Sequence, residues 1–290
     1  MNNTTKYIVG FIILIIALAG GLYLYSSSQK EKTVPQQTGE HGTTPGGHQQ
    51  VTRGLRSYEP EITSDNINIR PNQPIKFSYK IKNDKGEVLK NYETVHEKIM
   101  HFIVVRRDLQ NFQHLHPDFN QATGEFTVDI TFPTDGPYRV FPDFTPSEDN
   151  PQKLPVTVYH DIDVGDISRY KAEPVIPDTQ PKKTVGKYQI TYDFPAEVMM
   201  RNEINYSVSI EKNSQPVKDL GNYLGALGHS VILKEGSLDF IHTHAEEGNA
   251  SRGPEIRFST SFPKEGVYKI FTQFQHQGKV ITAAYAVRAN

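Results

Sequence analysis

The chain opens on an unbroken apolar run. Lys6 is followed, from Tyr7 to Tyr25, by nothing but Ile, Leu, Val, Ala, Gly, Phe and Tyr. At a rise of about 1.5 Å per residue, a helix over that run just crosses a bilayer core roughly 30 Å thick. It reads as a transmembrane anchor over residues 7–25 behind a cytoplasmic tail of residues 1–6. The rival is a cleaved signal peptide, since Ala17-Leu18-Ala19 fits the small-residue pattern before a cleavage site. However, Leu22, Tyr23, Leu24 and Tyr25 continue the run past that point, where a cleaved segment normally stops after about 7–15 apolar residues. The anchor is therefore favoured, with the bulk of the chain outside the membrane. Lys30 and Lys32 blunt the charge asymmetry that would fix this orientation. From residue 26 to 57, Ser, Gln, Thr, Gly and Pro dominate and predict a flexible stalk, in which His41 and His48 stand as isolated, solvated side chains.

Beyond the stalk, apolar positions alternate with polar ones. Ile75, Phe77, Tyr79 and Ile81 form one such set; Phe126, Val128, Ile130 and Phe132 another; Ile204, Tyr206, Val208 and Ile210 a third. Period 2 in β-branched and aromatic residues predicts half-buried strands. Turn signals such as Asn83-Asp84-Lys85-Gly86, Asp135-Gly136-Pro137 and Gln277-Gly278 separate them, and no long helical stripe appears.

The pattern occurs twice. His101-Phe-Ile-Val-Val followed by Phe112-Gln-His114-Leu-His116 recurs as His229-Ser-Val-Ile-Leu followed by Phe240-Ile-His242-Thr-His244, at a constant offset of 128. Phe132-Pro133-x-x-Gly136-x-Tyr138-x-x-Phe141-x-x-Phe144 recurs from Phe262 to Phe274 at an offset of 130, as a short insertion would produce. In that string Pro and Gly make a turn, and Tyr and Phe on the next strand are expected to fill a core. The predicted fold is all-β: a tandem of two immunoglobulin-like or cupredoxin-like β-sandwich modules, 58–165 and 187–290, joined by a linker over 166–186.

Composition narrows the chemistry. With 31 Lys+Arg against 33 Asp+Glu, no basic surplus points to nucleic acid. The absence of cysteine excludes disulfides, thiolate metal sites, a thiol nucleophile and a lipoprotein anchor, which is attached through cysteine.

The histidines can be placed from the repeat. In an antiparallel hairpin, opposed residues have a constant sum of positions. A turn centred on Arg107-Asp108 puts His101 opposite His114, and a turn at Glu235-Gly236 puts His229 opposite His242. The same register sets Ile103 against Phe112 and Val231 against Phe240, with the histidines at the end of a core-facing side. His116 and His244, two residues on, share that face. Crowded imidazoles cannot all be charged, and one divalent ion accepts three lone pairs at once. Three imidazoles suit Zn²⁺ or Cu²⁺, while a blue-copper site is excluded without cysteine. The expected metal residues are thus His101, His114 and His116 in the first module and His229, His242 and His244 in the second. His96 and Glu97 are extra candidates, with Glu97 four positions before His101 and Leu224-Gly225 in their place in the second module. Asp118 is a similar candidate, His160 reads as a packed side chain, and His276 as a solvated turn residue.

The strings His96-Glu-Lys-Ile-Met-His101, Asp108-Leu, Phe112-Gln-His114-Leu-His116-Pro117 and Tyr223-Leu-Gly-Ala-Leu-Gly-His229 with His242-Thr-His244 resemble exported bacterial β-sandwich proteins of the YtkA-like and FixH-like families. That resemblance covers most of residues 58–290 and implies copper or other heavy-metal handling. Ala245 follows His244 where Pro117 follows His116, so the resemblance implies a looser second site.

The expected function is a membrane-anchored, extracytoplasmic protein that sequesters or passes on divalent copper or zinc. The alternative is a tethered immunoglobulin-like interaction protein with architectural histidines and an unidentified protein partner. No general base is common to both modules and no nucleophile motif occurs, so an enzyme is not expected.

Overall fold

The computed structural model describes residues 49–52, 57–62, 68–148, 150–246 and 252–290. The apolar run at 7–25 and most of the predicted stalk, with His41 and His48, lie outside these residues. Among the described residues no helix is long and apolar enough to cross a membrane.

The chain is all-β. In the first module the strands are β1 (Gln49–Thr52), β2 (Tyr58–Ile62), β3 (Pro74–Asn83), β4 (Met100–Arg106), β5 (Gln113–Leu115), β6 (Asp118–Asn120), β7 (Glu125–Thr131), β8 (Gly136–Phe144) and β9 (Val156–Val164). One sheet has the order β1-β9-β8-β4-β5, the other β2-β3-β7-β6. Their facing sides enclose a core of Phe77, Tyr79, Phe102, Phe126, Tyr138 and neighbours. The predicted stalk is partly structured: β1 pairs along β9, Gln49 opposite Tyr159. An open sheet edge needs only backbone groups to pair with, so a polar segment can add to it.

The second module repeats the plan. Its strands are β10 (Lys182–Val185), β11 (Tyr188–Asp193), β12 (Glu203–Lys212), β13 (Gln215–Pro216), β14 (Leu220–Gly221), β15 (His229–Lys234), β16 (Phe240–His244), β17 (Glu255–Ser261), β18 (Gly266–His276) and β19 (Lys279–Ala289). β11, β12 and β17 correspond to β2, β3 and β7, and β15, β16, β18 and β19 to β4, β5, β8 and β9. A separate core of Tyr192, Tyr206, Phe258, Phe262 and Phe274 fills this sandwich.

A third apolar cluster joins the two modules: Ile103, Val105, Leu109, Phe141 and Val175 against Val231, Leu233, Leu238, Val267 and Phe271. This corrects the expectation that the histidine-bearing face lines a module's own core. Met100, Phe102 and Val104 face that core. His101, Ile103 and Val105 point the other way, onto the partner module. All of β4 is therefore buried, as the uninterrupted apolar letters of a strand covered on both faces require. Phe141 and Phe271 of the repeated aromatic string likewise face the interface, whereas Tyr138, Phe144, Tyr268 and Phe274 face their own cores. The contacts are reciprocal. Phe112 stacks on Phe271 with ring centres 4.2 Å apart, and the equivalent Phe240 lies 5.3 Å from Phe141. A surface that meets its own copy about a twofold axis gives such exchanged pairs.

The predicted linker is packed against both modules. It contains a short 3-10 turn, Ile167–Arg169, and β10. Val175 is buried at the interface and its N–H donates to Glu235 Oε1 at 2.9 Å. Asp178 and Ala286 exchange two hydrogen bonds.

Candidate metal centre at the module interface

The hairpins that carry the histidines close differently from the two-residue turns expected. Ile103 opposes His114, and in the second module Val231 opposes His242 and His229 opposes His244. Both registers are shifted by two positions. In the first loop Arg106 N–H bonds to Gln110 C=O at 2.9 Å, and the Arg106 guanidinium is gripped by both Asp108 oxygens at 2.8 Å. In the second, Leu238 N–H bonds to Lys234 C=O at 2.9 Å. Leu109 and Leu238 both adopt positive φ, 59° and 58°, which puts their buried side chains into the shared cluster. A shift of two leaves the period-2 faces unchanged, so the histidines still share one side.

On that side His101 Nδ1 lies 3.0 Å from His114 Nε2. The outer nitrogens are occupied by oxygen. His101 Nε2 is 3.2 Å from Val95 C=O, which can only accept, so this nitrogen carries the proton. His114 Nδ1 is 2.6 Å from Gln273 Oε1, whose amide nitrogen donates to Thr282 Oγ1 at 3.0 Å. With both outer nitrogens donating, the two inner nitrogens turn lone pairs toward each other. They are where two ligands of one tetrahedral ion would be, about 3.3 Å apart for N–metal bonds of roughly 2.0–2.1 Å. His116 completes the group: the ligand nitrogens of His101, His114 and His116 lie within 4.8 Å of one another. His116 Nε2 is buried and has no hydrogen-bond partner, a costly state for a ring nitrogen unless a ligand takes it. One buried three-histidine group that could hold a metal ion is thus present.

The second module repeats this arrangement. His229 Nδ1 is 3.1 Å from His242 Nε2; His229 Nε2 faces Leu224 C=O at 3.4 Å; and His242 Nδ1 donates to Asp143 Oδ2 at 2.9 Å. Asp143 is buried, and its other oxygen accepts from Thr157 Oγ1 at 2.7 Å. His244 is placed in β16 opposite His229.

Each outer partner on the side-chain end comes from the other module. Gln273 of the second holds His114 of the first, and Asp143 of the first holds His242 of the second. Neither was singled out in the sequence. Both occupy the same place in the repeated aromatic string, one residue before its last Phe, where a polar side chain interrupts an apolar strand.

Electrostatics favour neutral, ligand-ready rings. Burial pushes the pKa of His101 down to about 4, helped by the nearby His242. Burial and then the Lys98 ammonium bring His116 to about 4. His229 falls to about 2, and His114 well below its ordinary value, in both cases chiefly through burial.

The remaining candidates separate. His96 sits in a turn at φ 51° with its ring centre 4.7 Å from His229 and 6.0 Å from His101, so it leans toward the second module. Glu97, at φ 64°, is exposed and outside the three-histidine group. It lies in the turn before β4, so strand alternation does not carry its side chain to the face of His101. Asp118 is exposed on β6, and His160 is half-buried on β9. His276 is buried rather than solvated, between Tyr188 Oη at 2.8 Å and Asp219 Oδ1 at 3.0 Å. A cavity of about 290 Å³ opens beside the cluster, lined by His96, His101, Asp143, Thr157, Phe240 and His242 among others.

Residues 56–161 and 183–290 each match one protein family, described as a domain of unknown function (DUF8832). No curated protein matches the chain. Among solved structures it is similar to a Salmonella alpha-2-macroglobulin mutant, at 12% identity and TM-score 0.27, over 80% of this chain and 14% of that one. It is similar to red sea bream transglutaminase at 12% identity and TM-score 0.24, over 83% and 32%. A putative membrane anchored protein from Corynebacterium diphtheriae gives 12% identity and TM-score 0.21, over 80% and 53%. The chain thus spans only a minor part of the first two, and at these TM-scores the likenesses bear on neither mechanism nor partner.

Proposed function

We propose that this chain, which belongs to the DUF8832 family, is a metal-binding protein that holds a divalent copper or zinc ion at His101, His114 and His116, outside the membrane, and sequesters it or passes it on. The observation that carries this reading is the pair of inward lone pairs on His101 and His114, beside the unpartnered buried Nε2 of His116. Oxygen acceptors on the outer nitrogens are the usual way a protein fixes the tautomer of a ligating imidazole and strengthens it as a donor. Imidazole without thiolate or carboxylate favours Zn²⁺ or Cu²⁺ over the hard cations. The apolar run at 7–25 is the basis for placing the protein on the outer face of a membrane. The resemblance to exported β-sandwich families linked with heavy metals points the same way.

The second reading is an interaction protein whose histidines are architectural. Its support is that a proton shared between two rings also relieves facing lone pairs. Calorimetric titration of the full chain with Cu²⁺ and Zn²⁺ at neutral pH separates the two. Metal binding expects saturable uptake, weakened at least tenfold in His114→Ala. Absence of uptake, or an unchanged isotherm in that variant, leaves the architectural reading.

A further inference from the structure

We propose a second metal centre, built across the interface by His229 and His242 of the second module and His96 of the first, with Asp143 of the first module fixing His242. It rests on the metal-binding reading of the first centre but uses none of its ligands.

Ring positions carry the assignment. Three imidazoles on one tetrahedral ion, with nitrogens about 2.0–2.1 Å from it, have ring centres about 5 Å apart. The first group meets this: 5.2 Å for His101–His114, 5.2 Å for His101–His116 and 4.8 Å for His114–His116. The second set gives 5.2 Å for His229–His242, 4.7 Å for His96–His229 and 5.6 Å for His96–His242. His229 and His242 already aim inner nitrogens at each other 3.1 Å apart, with their outer nitrogens on Leu224 C=O and Asp143. His96 has its ring centre at this spacing, and metal binding requires its side chain to turn from its present orientation so that a nitrogen meets the pair.

The turn explains why a first-module residue serves the second module's pair. Val95 and Lys98 exchange hydrogen bonds of 2.8 and 3.1 Å around His96 and Glu97, both at positive φ. Tyr223 and Ala226 do the same around Leu224 and Gly225. The two turns meet across the interface: a Cβ added to Gly225 would lie 3.8 Å from Glu97 Cγ. Where the second module has Leu224, buried, the first has a histidine whose ring lies against the partner's pair. The ligand is a divalent ion that prefers imidazole, and the Asp143 carboxylate offsets part of its charge.

The two sets are contiguous, with His101 5.2 Å from His242 and 6.0 Å from His229 between ring centres. Two Cu²⁺ ions held in them are close enough for their electron spins to couple.

The test is Cu²⁺ titration of the full chain, with metal counting after dialysis and electron paramagnetic resonance of the saturated protein. Two ions per chain are expected, with a spin-coupled spectrum. His96→Gly keeps a residue suited to positive φ and removes the imidazole; it should weaken one of the two ions by at least tenfold and abolish the coupling at sub-saturating copper. His114→Ala should weaken the other ion and leave this one. Asp143→Asn should weaken the ion that His96→Gly weakens, by about 10–100-fold. One ion per chain, lost in His114→Ala and untouched by His96→Gly, overturns the second centre and leaves the first standing. No ion at all overturns both. Two ions with affinities indifferent to His96→Gly overturn the assignment of His96.

Discussion

His242 Nδ1 lies 2.9 Å from Asp143 Oδ2, and at the equivalent place in the other half of the interface His114 Nδ1 lies 2.6 Å from Gln273 Oε1. The same position of the repeat thus supplies a carboxylate to one histidine and an amide to the other. Both cross from one module to the other, so orienting an imidazole and docking the modules are one arrangement. A carboxylate raises the donor strength of the imidazole it holds more than an amide does. That contrast makes the two pairs unequal although their hairpins are alike.

Gln273→Glu should give the first centre the partner the second already has. The expected outcome is tighter binding at His101, His114 and His116 by roughly tenfold, on the scale of such outer partners. Without metal the same variant places a carboxylate in a buried position and should melt lower than wild type. Thermal melts with and without Zn²⁺, alongside calorimetry, read both effects; equal affinity in the two proteins would show that this partner does not tune the site.

The pH response follows from rings whose pKa is depressed by burial. His101 titrates near 4 when folded and near 6.5 when unfolded, so between those values the unfolded chain binds the proton and the folded one does not. Stability of the metal-free protein is therefore full above about pH 6.5 and is lost as pH falls toward 4. This one ring accounts for an upper limit of about 3 kcal/mol. His116, about 4 when folded, acts in the same direction. Urea unfolding of the metal-free protein at pH 7, 5.5 and 4.5 should show a falling midpoint. Metal binding, for the same reason, should survive well below the pH of about 6.5 expected for ordinary histidines, since protons compete poorly for these rings. A midpoint that does not move would mean the rings titrate normally.

Bound metal should stabilise the fold. At a free ion concentration one hundred times the dissociation constant, the gain is about 2.7 kcal/mol per site. The expected result is a melting temperature that rises with Zn²⁺ in wild type and stays flat in a His101→Ala, His114→Ala, His229→Ala, His242→Ala variant. A similar rise in that variant would place the metal elsewhere.

The interface itself should be worth several kcal/mol. Phe271 is buried and stacks on Phe112 across the modules. Phe271→Ala should cost about 3–5 kcal/mol in denaturant unfolding. It should also weaken metal uptake, because Gln273 and Asp143 reach their histidines only when the modules are docked. Loss of stability with untouched metal affinity would show that docking and binding are independent.

Membrane placement is open to a direct test. The run at 7–25 should keep the full chain in the membrane fraction, and protease added from outside should release a fragment that begins beyond residue 25. Full-length protein in the soluble cytosolic fraction would exclude the anchor.

Local pattern determined much of this molecule. Period-2 alternation at Ile75–Ile81 and Ile204–Ile210 is a property of strands alone, and the twice-written histidine and aromatic strings fixed a repeated sandwich. The shared face of His101, His114 and His116 was also legible, because faces depend on parity and a register shift of two preserves parity. What the sequence left open was what each face meets. Nothing local says whether His101 and Ile103 look into their own module or onto another, since burial against either partner selects the same apolar letters. Only the docking of the modules decided that, and with it that Gln273 holds His114, that Asp143 holds His242, and that His96 leans on His229. Those pairs are separated by 159, 99 and 133 positions in the chain, and contacts at such distances are made by packing two surfaces together rather than by any pattern along one strand.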